Sequence, residues 1–218
     1  MRHRYINQLL LVTALVAGSI QAETVSIADA RAATWDTEVT VEGYVTVPAG
    51  KFVASTFDQG FALQDDTAGI YVSLQENLPL NYHHRVRVTG TVKDDTFGQL
   101  ILQTSATTDV TILKGASRIT ARPVATIDVG EATEGLLVEV TGTVVRGPID
   151  DLPYGFSVFV DDGSGETQIF IPASTGVNPF KIGYIKPGAK IRVTGLSSQF
   201  ENKLEVLPRN GGDIHRAK

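Results

Sequence analysis

The chain has 218 residues, of which 42% are hydrophobic and 20% charged, a composition that excludes a disordered protein and allows one or two folded domains. It contains no cysteine, which excludes disulfides and thiolate sites for metal or catalysis. The formal net charge is −5, whereas proteins that rely on bulk attraction to phosphate normally carry the opposite sign.

Residues 1–22 have the pattern of a secretory signal peptide. Arg2 and Arg4 give a positive start, the apolar run Leu9–Ala17 is too short to cross a bilayer, and Ala22 ends a stretch suited to cleavage. An uncleaved anchor is the alternative. Removing the leader leaves 17 of the 19 basic residues against 24 acidic ones. Because of the leader pattern, we expect a bacterial periplasmic or secreted protein, with no membrane span after leader cleavage.

The next segment predicts a short helix followed by a strand. Ser26 is a candidate N-cap for the alanine-rich sequence that leads to Thr37. In Glu38–Val47 the valines alternate on one face, and Gly43 falls in the same register. A glycine inside a strand marks a bend or a close backbone approach, and a small barrel needs such a bend.

A hairpin, a further strand and a closing segment in two parts complete this first unit. Gly60–Leu74 consists of two alternating apolar runs joined by an Asp-rich turn, which predicts a β-hairpin. A connector leads to the strand His84–Val92, where valines and a glycine repeat the earlier spacing. Gln99–Gln103 and Val110–Leu113 then close the unit.

The same order of elements occurs a second time. The basic, proline-containing segment Ala116–Ala125 is the predicted boundary, so the first domain spans residues 23–115 and the second spans residues 116–218. Leu137–Val145 repeats the first strand, and Lys190–Gly195 repeats the fourth. The hairpin Gly155–Ile171 repeats the first hairpin, with Phe156, Val158 and Val160 on one face. A period of roughly 100 residues indicates tandem domains, since solenoid repeats are shorter.

These elements predict the fold class. Five short strands, a bend glycine in the first strand and a connector between the third and fourth strands are the outline of an OB-fold, a small Greek-key barrel. The sequence therefore predicts an all-β protein of two tandem five-stranded OB-fold Greek-key barrels, with short helical connectors.

A family resemblance is carried by two segments of the first unit, SIADARAATWDTEVTVEGYVTVP and GFALQDDTAGIYV. They resemble the bacterial OB-fold modules that accompany secreted nucleases and phosphoesterases, with an I-x-x-A-R-A lead, a V-T-V-x-G strand and a G-F-x-(I/L)-Q-D hairpin. In the second unit Val160 stands where the family has Gln before Asp, and neither copy is joined to a nuclease domain in this sequence. The resemblance implies a barrel of the nucleic-acid-binding type.

Candidate binding residues follow from the position of the ligand face in OB-folds, on the second and third strands between two rim loops. Phe159 and Phe170 project outward there and would stack unpaired bases at roughly 1 to 3 kcal/mol each. Alternatively, the two rings pack against the other unit or a neighbouring subunit. The predicted ligand-binding residues are Gln64, Tyr71, Phe159, Gln168 and Phe170 on the strands and Lys51, Phe52, Lys93, Phe97 and Phe200 in the loops.

Catalytic and metal-binding patterns are not evident. The pairs Asp65-Asp66 and Asp161-Asp162 would offer oxygens to a hard cation, but turn chemistry explains aspartates at these positions without an ion. No nucleophile elbow and no phosphate-binding glycine loop is present. We predict no catalytic residue, no metal and no cofactor.

Three functional hypotheses remain. The first is a non-enzymatic exported OB-fold protein that binds single-stranded DNA or oligonucleotides. The second is a periplasmic protein-interaction or assembly module, in which the same faces bury against an envelope protein and no nucleic acid binds. The third is a subunit of an enzyme whose catalytic chain is encoded separately.

Overall fold

The computed structural model describes residues 23–52 and 58–218, and the predicted leader lies outside the described residues. None of the described helices is long and apolar enough to cross a membrane. The strands of the first half are β1 Thr24–Val25, β2 Glu38–Val47, β3 Phe61–Gln64, β4 Gly69–Ser73, β5 His84–Asp94, β6 Leu100–Gln103 and β7 Val110–Ala116. Those of the second half are β8 Arg122–Pro123, β9 Leu137–Asp151, β10 Gly155–Asp161, β11 Glu166–Pro172, β12 Lys190–Phe200, β13 Lys203–Leu207 and β14 Ile214–Arg216.

Helical structure is confined to short connectors. Helix α1, Ile27–Ala32, begins at the predicted N-cap, since the Ser26 side chain accepts a hydrogen bond from the Asp29 amide. The described 3₁₀ segments are Thr107–Asp109, Thr126–Asp128, Ala173–Thr175, Pro179–Lys181 and Gly211–Asp213.

Each half of the chain closes into a five-stranded barrel. In the first, the neighbours run β2, β3, β4, β6, β5 and back to β2; in the second they run β9, β10, β11, β13, β12 and back to β9. The third and fifth strands of each barrel are parallel, and every other barrel pair is antiparallel. This is the Greek-key order of the OB-fold, so the predicted fold of two tandem barrels is confirmed. Strands β1 and β7 extend the first sheet, and β8 and β14 extend the second.

The bend glycines lie where strands approach each other closely. A Cβ added to Gly43 would lie 2.7 Å from the carbonyl oxygen of Gln64 on β3, and one added to Gly142 would lie 2.9 Å from the backbone of Asp161 on β10. Neither position has room for a side chain. A close backbone approach, one of the features that a glycine inside a strand indicates, therefore occurs in the first barrel strand of each unit.

Two strands of the second barrel are longer than predicted, and a third lies where no strand was predicted. Strand β9 continues to Asp151 rather than ending at Val145, because residues 149–151 pair with β10. Strand β12 continues to Phe200 rather than ending at Gly195, so Phe200 lies at the end of a strand and not in a loop, and β13 follows it in a stretch for which no strand was predicted. Backbone pairing with neighbouring strands, which the local sequence pattern does not show, therefore sets the ends of these strands.

The barrels have separate cores and share a third apolar cluster. The first core includes Val41, Phe61, Leu63, Ile70, Val88 and Leu102. The second includes Val140, Val158, Val160, Ile169, Ile171 and Val193. The shared cluster consists of Val47, Phe52, Ala62, Tyr71 and Ile101 from the first half and Leu196 and Leu207 from the second. The two barrels therefore pack side by side through an apolar contact.

Polar contacts fix the relative position of the barrels. The Leu137 amide donates to Gln64 Oε1 at 2.9 Å, and Arg209 donates to the carbonyl oxygen of Thr46 at 3.0 Å. In addition, Arg31 forms a 3.0 Å ion pair across the contact, with a Glu134 side chain that is 3% exposed.

Candidate ligand-binding cleft

A cavity of about 700 Å³ lies between the outer faces of the two barrels. We call it the inter-barrel cleft. The first barrel contributes β4, β6 and the loop between β5 and β6, and the second contributes β9 to β13. The volume lies within the range of small-molecule binding sites, roughly 300 to 1,000 Å³.

The structure brings most of the predicted ligand-binding residues together at this cleft. Those that line it are Phe52, Tyr71, Phe97, Phe159, Gln168, Phe170 and Phe200. They come from both halves of the chain, whereas the sequence pattern suggested two separate ligand faces.

The other three predicted residues, Gln64, Lys51 and Lys93, do not line the cleft. Gln64 belongs to the contact between the barrels, as described above. The carbonyl oxygen of Lys51 accepts a 3.0 Å hydrogen bond from Ser174, which lines the cleft, so the Lys51 backbone lies at the edge. Lys93 lies 3.4 Å from Asp36, in a shallow depression that is separate from the cleft.

A stacked aromatic pair joins the loop between β5 and β6 of the first barrel to the end of β12 in the second. The rings of Phe97 and Phe200 are 4.9 Å apart between centroids, with an interplanar angle of 17°. Next to the stack, the Glu201 amide donates to the carbonyl oxygen of Phe97 at 2.5 Å. One ring comes from each barrel, so this part of the cleft wall exists only when the barrels are packed together.

The second barrel supplies a further aromatic surface from β10 and β11. Phe159 pairs with Gln168 and Ser157 pairs with Phe170, so the two phenylalanines are diagonal neighbours on one face rather than direct partners. The Arg146 guanidinium lies 3.4 Å from the centroid of Phe159 and covers one face of that ring. A flat ligand can therefore reach Phe159 from one side only.

The corresponding face of the first barrel forms the floor of the cleft. Tyr71 is 4% exposed and Phe52 is 3% exposed, and both pack against the second barrel in the shared cluster. The Tyr71 hydroxyl donates to Asp58 Oδ1 at 3.0 Å. Burial and the Asp58 carboxylate raise the pKa of Tyr71 well above its ordinary value, so it remains a neutral donor.

The lining of the cleft is acidic. Among its described residues, the carboxyl groups are Asp58, Asp95, Asp150, Asp151 and Glu205, and the cationic side chain is Lys203. The Asp95 carboxylate accepts hydrogen bonds from the amides of Phe97 and Gln99, which orders the loop that carries the stacked ring. A cleft with this lining attracts cations and repels phosphate.

Glu205 differs from the other acidic residues of the cleft. It is 6% exposed on β13, with Gln168 and Ser198 as its partners on the neighbouring strands. Its carboxyl group lines the cleft and forms no hydrogen bond with any residue that the structure describes. Burial raises its pKa to about 8, and Lys203 only partly opposes that shift. The sequence analysis missed Glu205, because a glutamate in a short alternating strand resembles an ordinary exposed residue.

The aspartates of the hairpin turns cap the helical segments that precede each barrel. Asp65 accepts a 2.9 Å hydrogen bond from the Ile27 amide, and Asp162 accepts from the amide and hydroxyl of Thr126. Burial raises the pKa of Asp65, but hydrogen bonds to its carboxylate outweigh this and lower it; hydrogen bonds from Ser164 and Thr126 lower the pKa of Asp162. No group of three or more His, Cys, Asp or Glu residues suited to a metal occurs in the described part of the chain. Turn and cap chemistry accounts for both residues.

No protein-family model matches this chain, and a search of curated proteins finds no match either. Solved structures do show similarity. A murine DNA binding protein bound with ds DNA is 14% identical, with a TM-score of 0.42, over 82% of this chain and 96% of that one.

Two further structures have lower TM-scores. A Replication Protein A heterotrimer bound to ssDNA is 11% identical, with a TM-score of 0.31, over 91% of this chain and 70% of that one. The single-stranded DNA binding protein from Thermus aquaticus, a deletion mutant, is 12% identical, with a TM-score of 0.25, over 84% of this chain and 96% of that one. Because these three TM-scores are below 0.5, the fold assignment rests on the strand order and the closure of the two barrels and not on these similarities.

Proposed function

We propose that this protein is a non-catalytic binding protein whose ligand occupies the inter-barrel cleft. The observation that carries the proposal is the convergence of Phe97, Phe200, Phe159 and Phe170, from both barrels, on one cavity of about 700 Å³. Apolar walls with a few converging polar groups are the usual composition of a small-molecule site. The contacts between the barrels preorganise these walls, which lowers the entropic cost of binding.

The polar groups of the cleft favour recognition over chemistry. Asp95 is hydrogen-bonded to two amides of its own loop, and Asp58 accepts from both Tyr71 and the Gly60 amide. These carboxylates hold the walls in place. Their structural roles support binding rather than turnover.

A single-stranded oligonucleotide is the second candidate ligand. The nearly parallel stack of Phe97 on Phe200 and the single accessible face of Phe159 are surfaces on which bases can stack. The acidic lining opposes this candidate, because a phosphodiester chain would pass several carboxylates. Base stacking would therefore have to supply the affinity without help from charge.

We also propose that the protein is exported, on the strength of the leader pattern in residues 1–22. The mass of the mature protein recovered from its native host would test this. A mature chain that begins after Ala22 is the expected result, and a full-length chain in the cytoplasm would contradict it.

The cleft is tested by comparing Phe159→Ala with Phe180→Ala. Both residues are phenylalanines of the second half, but Phe180 does not line the cleft. Ligand binding is measured by NMR titration with small aromatic probes, and by anisotropy with a labelled oligothymidine of about ten nucleotides. We expect Phe159→Ala to weaken binding about tenfold, since one stacking surface is lost, and Phe180→Ala to leave it unchanged.

The titration with the labelled oligothymidine distinguishes a small-molecule ligand from a single-stranded oligonucleotide. Oligonucleotide binding through base stacking would raise the anisotropy of the labelled oligothymidine, would not weaken as salt rises from about 20 to about 200 mM, and would weaken about tenfold in Phe159→Ala. Aromatic probes that bind the cleft while the oligonucleotide fails to bind at low salt would exclude the second candidate. If no probe shifts the resonances of the cleft residues, the proposed function is wrong.

A further inference from the structure

The charge and the aromatic content of the inter-barrel cleft together restrict the chemistry of its ligand. Five of the described lining residues carry carboxyl groups and one carries an ammonium group. An anionic ligand would be repelled, and a neutral apolar one would leave the Glu205 carboxyl group without a hydrogen bond. A ligand that combines an apolar body with a positive charge satisfies both parts of the lining.

Glu205 provides an observation independent of the acidic composition. Its side chain is buried on β13 and faces the cleft, and no residue that the structure describes donates a hydrogen bond to it. Leaving a buried carboxyl group without a partner costs free energy, and such a group usually has a function or an unseen partner. A ligand group that donates hydrogen bonds would remove this cost.

The surroundings of Glu205 suit an organic cation. Its strand partner on β11 is Gln168, and Phe170 projects from the same face of β11 two residues further on. Cations already lie over two other rings of the wall. Lys203 lies 5.7 Å from the centroid of Phe200, and Arg146 covers Phe159. The protein's own side chains therefore occupy the outer cation positions and leave Glu205 to a ligand.

We propose that the inter-barrel cleft binds a small organic cation, an ammonium group on an apolar body, with Glu205 as its counter-ion and the phenylalanines as its walls. This inference rests on the proposed function and specifies the class of ligand. An ammonium group would favour the ionised form of Glu205 and compensate its charge, while the apolar body stacks against the rings.

Three probes test the proposal: 2-phenylethylammonium, benzyl alcohol and benzenesulfonate, which each carry one benzene ring and differ in charge, and of which the ammonium has N–H groups to donate to Glu205. They are titrated by NMR into the full chain at about pH 9, where Glu205 is ionised. We expect the cation to bind at least about tenfold more tightly than the sulfonate. Glu205→Gln is expected to weaken cation binding about tenfold and to leave benzyl alcohol binding within about twofold.

Glu76→Gln is the matched control, because Glu76 is exposed and lies outside the cleft lining. This substitution removes the same charge as Glu205→Gln, and it should change neither the affinity for the cation nor the affinity for benzyl alcohol. Equal binding of all three probes at the cleft would overturn the cation assignment and leave the proposed function intact. Cation binding that survives Glu205→Gln would also overturn it. If no probe perturbs the cleft, the proposed function fails together with this inference.

Discussion

At the scale of single residues, Glu205 links the stability of the second barrel to pH. Its pKa in the folded protein is about 8, against an ordinary value of 4.5. The folded state therefore holds this proton more tightly than the unfolded chain does. The resulting contribution to stability is complete below the ordinary pKa and is lost as the pH rises from about 4.5 to about 8.

Glu205→Gln should abolish this dependence, since glutamine stays neutral. We expect the mutant to become more stable relative to the wild type as the pH rises, with the difference growing by about 2 to 4 kcal/mol between pH 5 and pH 9. Urea denaturation at these two values gives the free energies of unfolding. Glu76→Gln should show no such trend, and a pH-independent difference for Glu205→Gln would contradict the assignment.

The aromatic part of the cleft could be predicted from the sequence, but its assembly could not. Alternation places Phe159 and Phe170 on the outward face of a hairpin, because the strand period is a local property. Tyr71 packs against Leu196 and Leu207, and Gln64 accepts a hydrogen bond from Leu137, so both depend on residues more than sixty positions away. No local pattern carries that information. Glu205 was missed for the same reason, since the other barrel helps to enclose the cleft that it faces.

At the scale of secondary-structure elements, the paired hairpin turns show how a repeated motif organises each barrel. One aspartate of each turn reaches back to the helical segment at the start of its own unit. Hairpins and alternating strands were predictable, because each is encoded within about fifteen residues. The full length of β9 and the existence of β13 were not, since both depend on pairing with distant strands.

Asp65 and Asp66 are adjacent, so substituting each in turn tests the cap that Asp65 forms on helix α1. Asp65 accepts hydrogen bonds from the amides of Ile27, Thr67 and Ala68, whereas the exposed Asp66 has no hydrogen bond among the described residues. Asp65→Ala should therefore lower the free energy of unfolding by about 1 to 2 kcal/mol. Asp66→Ala should stay within about 0.5 kcal/mol of the wild type. If urea denaturation shows the same loss of unfolding free energy for Asp65→Ala and Asp66→Ala, the hydrogen bonds of the Asp65 cap do not stabilise the fold.

At the scale of the whole molecule, the cleft depends on how closely the two barrels approach. The backbones of Gly69 on β4 and Gly135, just before β9, are in contact, and a Cβ on either residue would collide with the carbonyl group of the other. Gly69 does not have a positive φ, so alanine is compatible with its own backbone conformation. Its lack of a side chain therefore serves the contact between the barrels.

Gly69→Ala should push the barrels apart without unfolding either one, because each barrel has its own buried core. The separation would break the stack of Phe97 on Phe200, since one ring comes from each barrel. We expect a larger radius of gyration in small-angle scattering, faster amide exchange at Leu137, and at least about tenfold weaker binding of the aromatic probes.

Gly183→Ala is the matched control for that change, because a Cβ at Gly183 meets no atom within 4 Å. It should leave the scattering, the amide exchange and the binding as they are in the wild type. If Gly69→Ala separates the barrels but probe binding survives, the ligand is held by the second barrel alone. If the barrels stay together, the backbone contact can relax, and rigid packing of the barrels is not what preorganises the cleft.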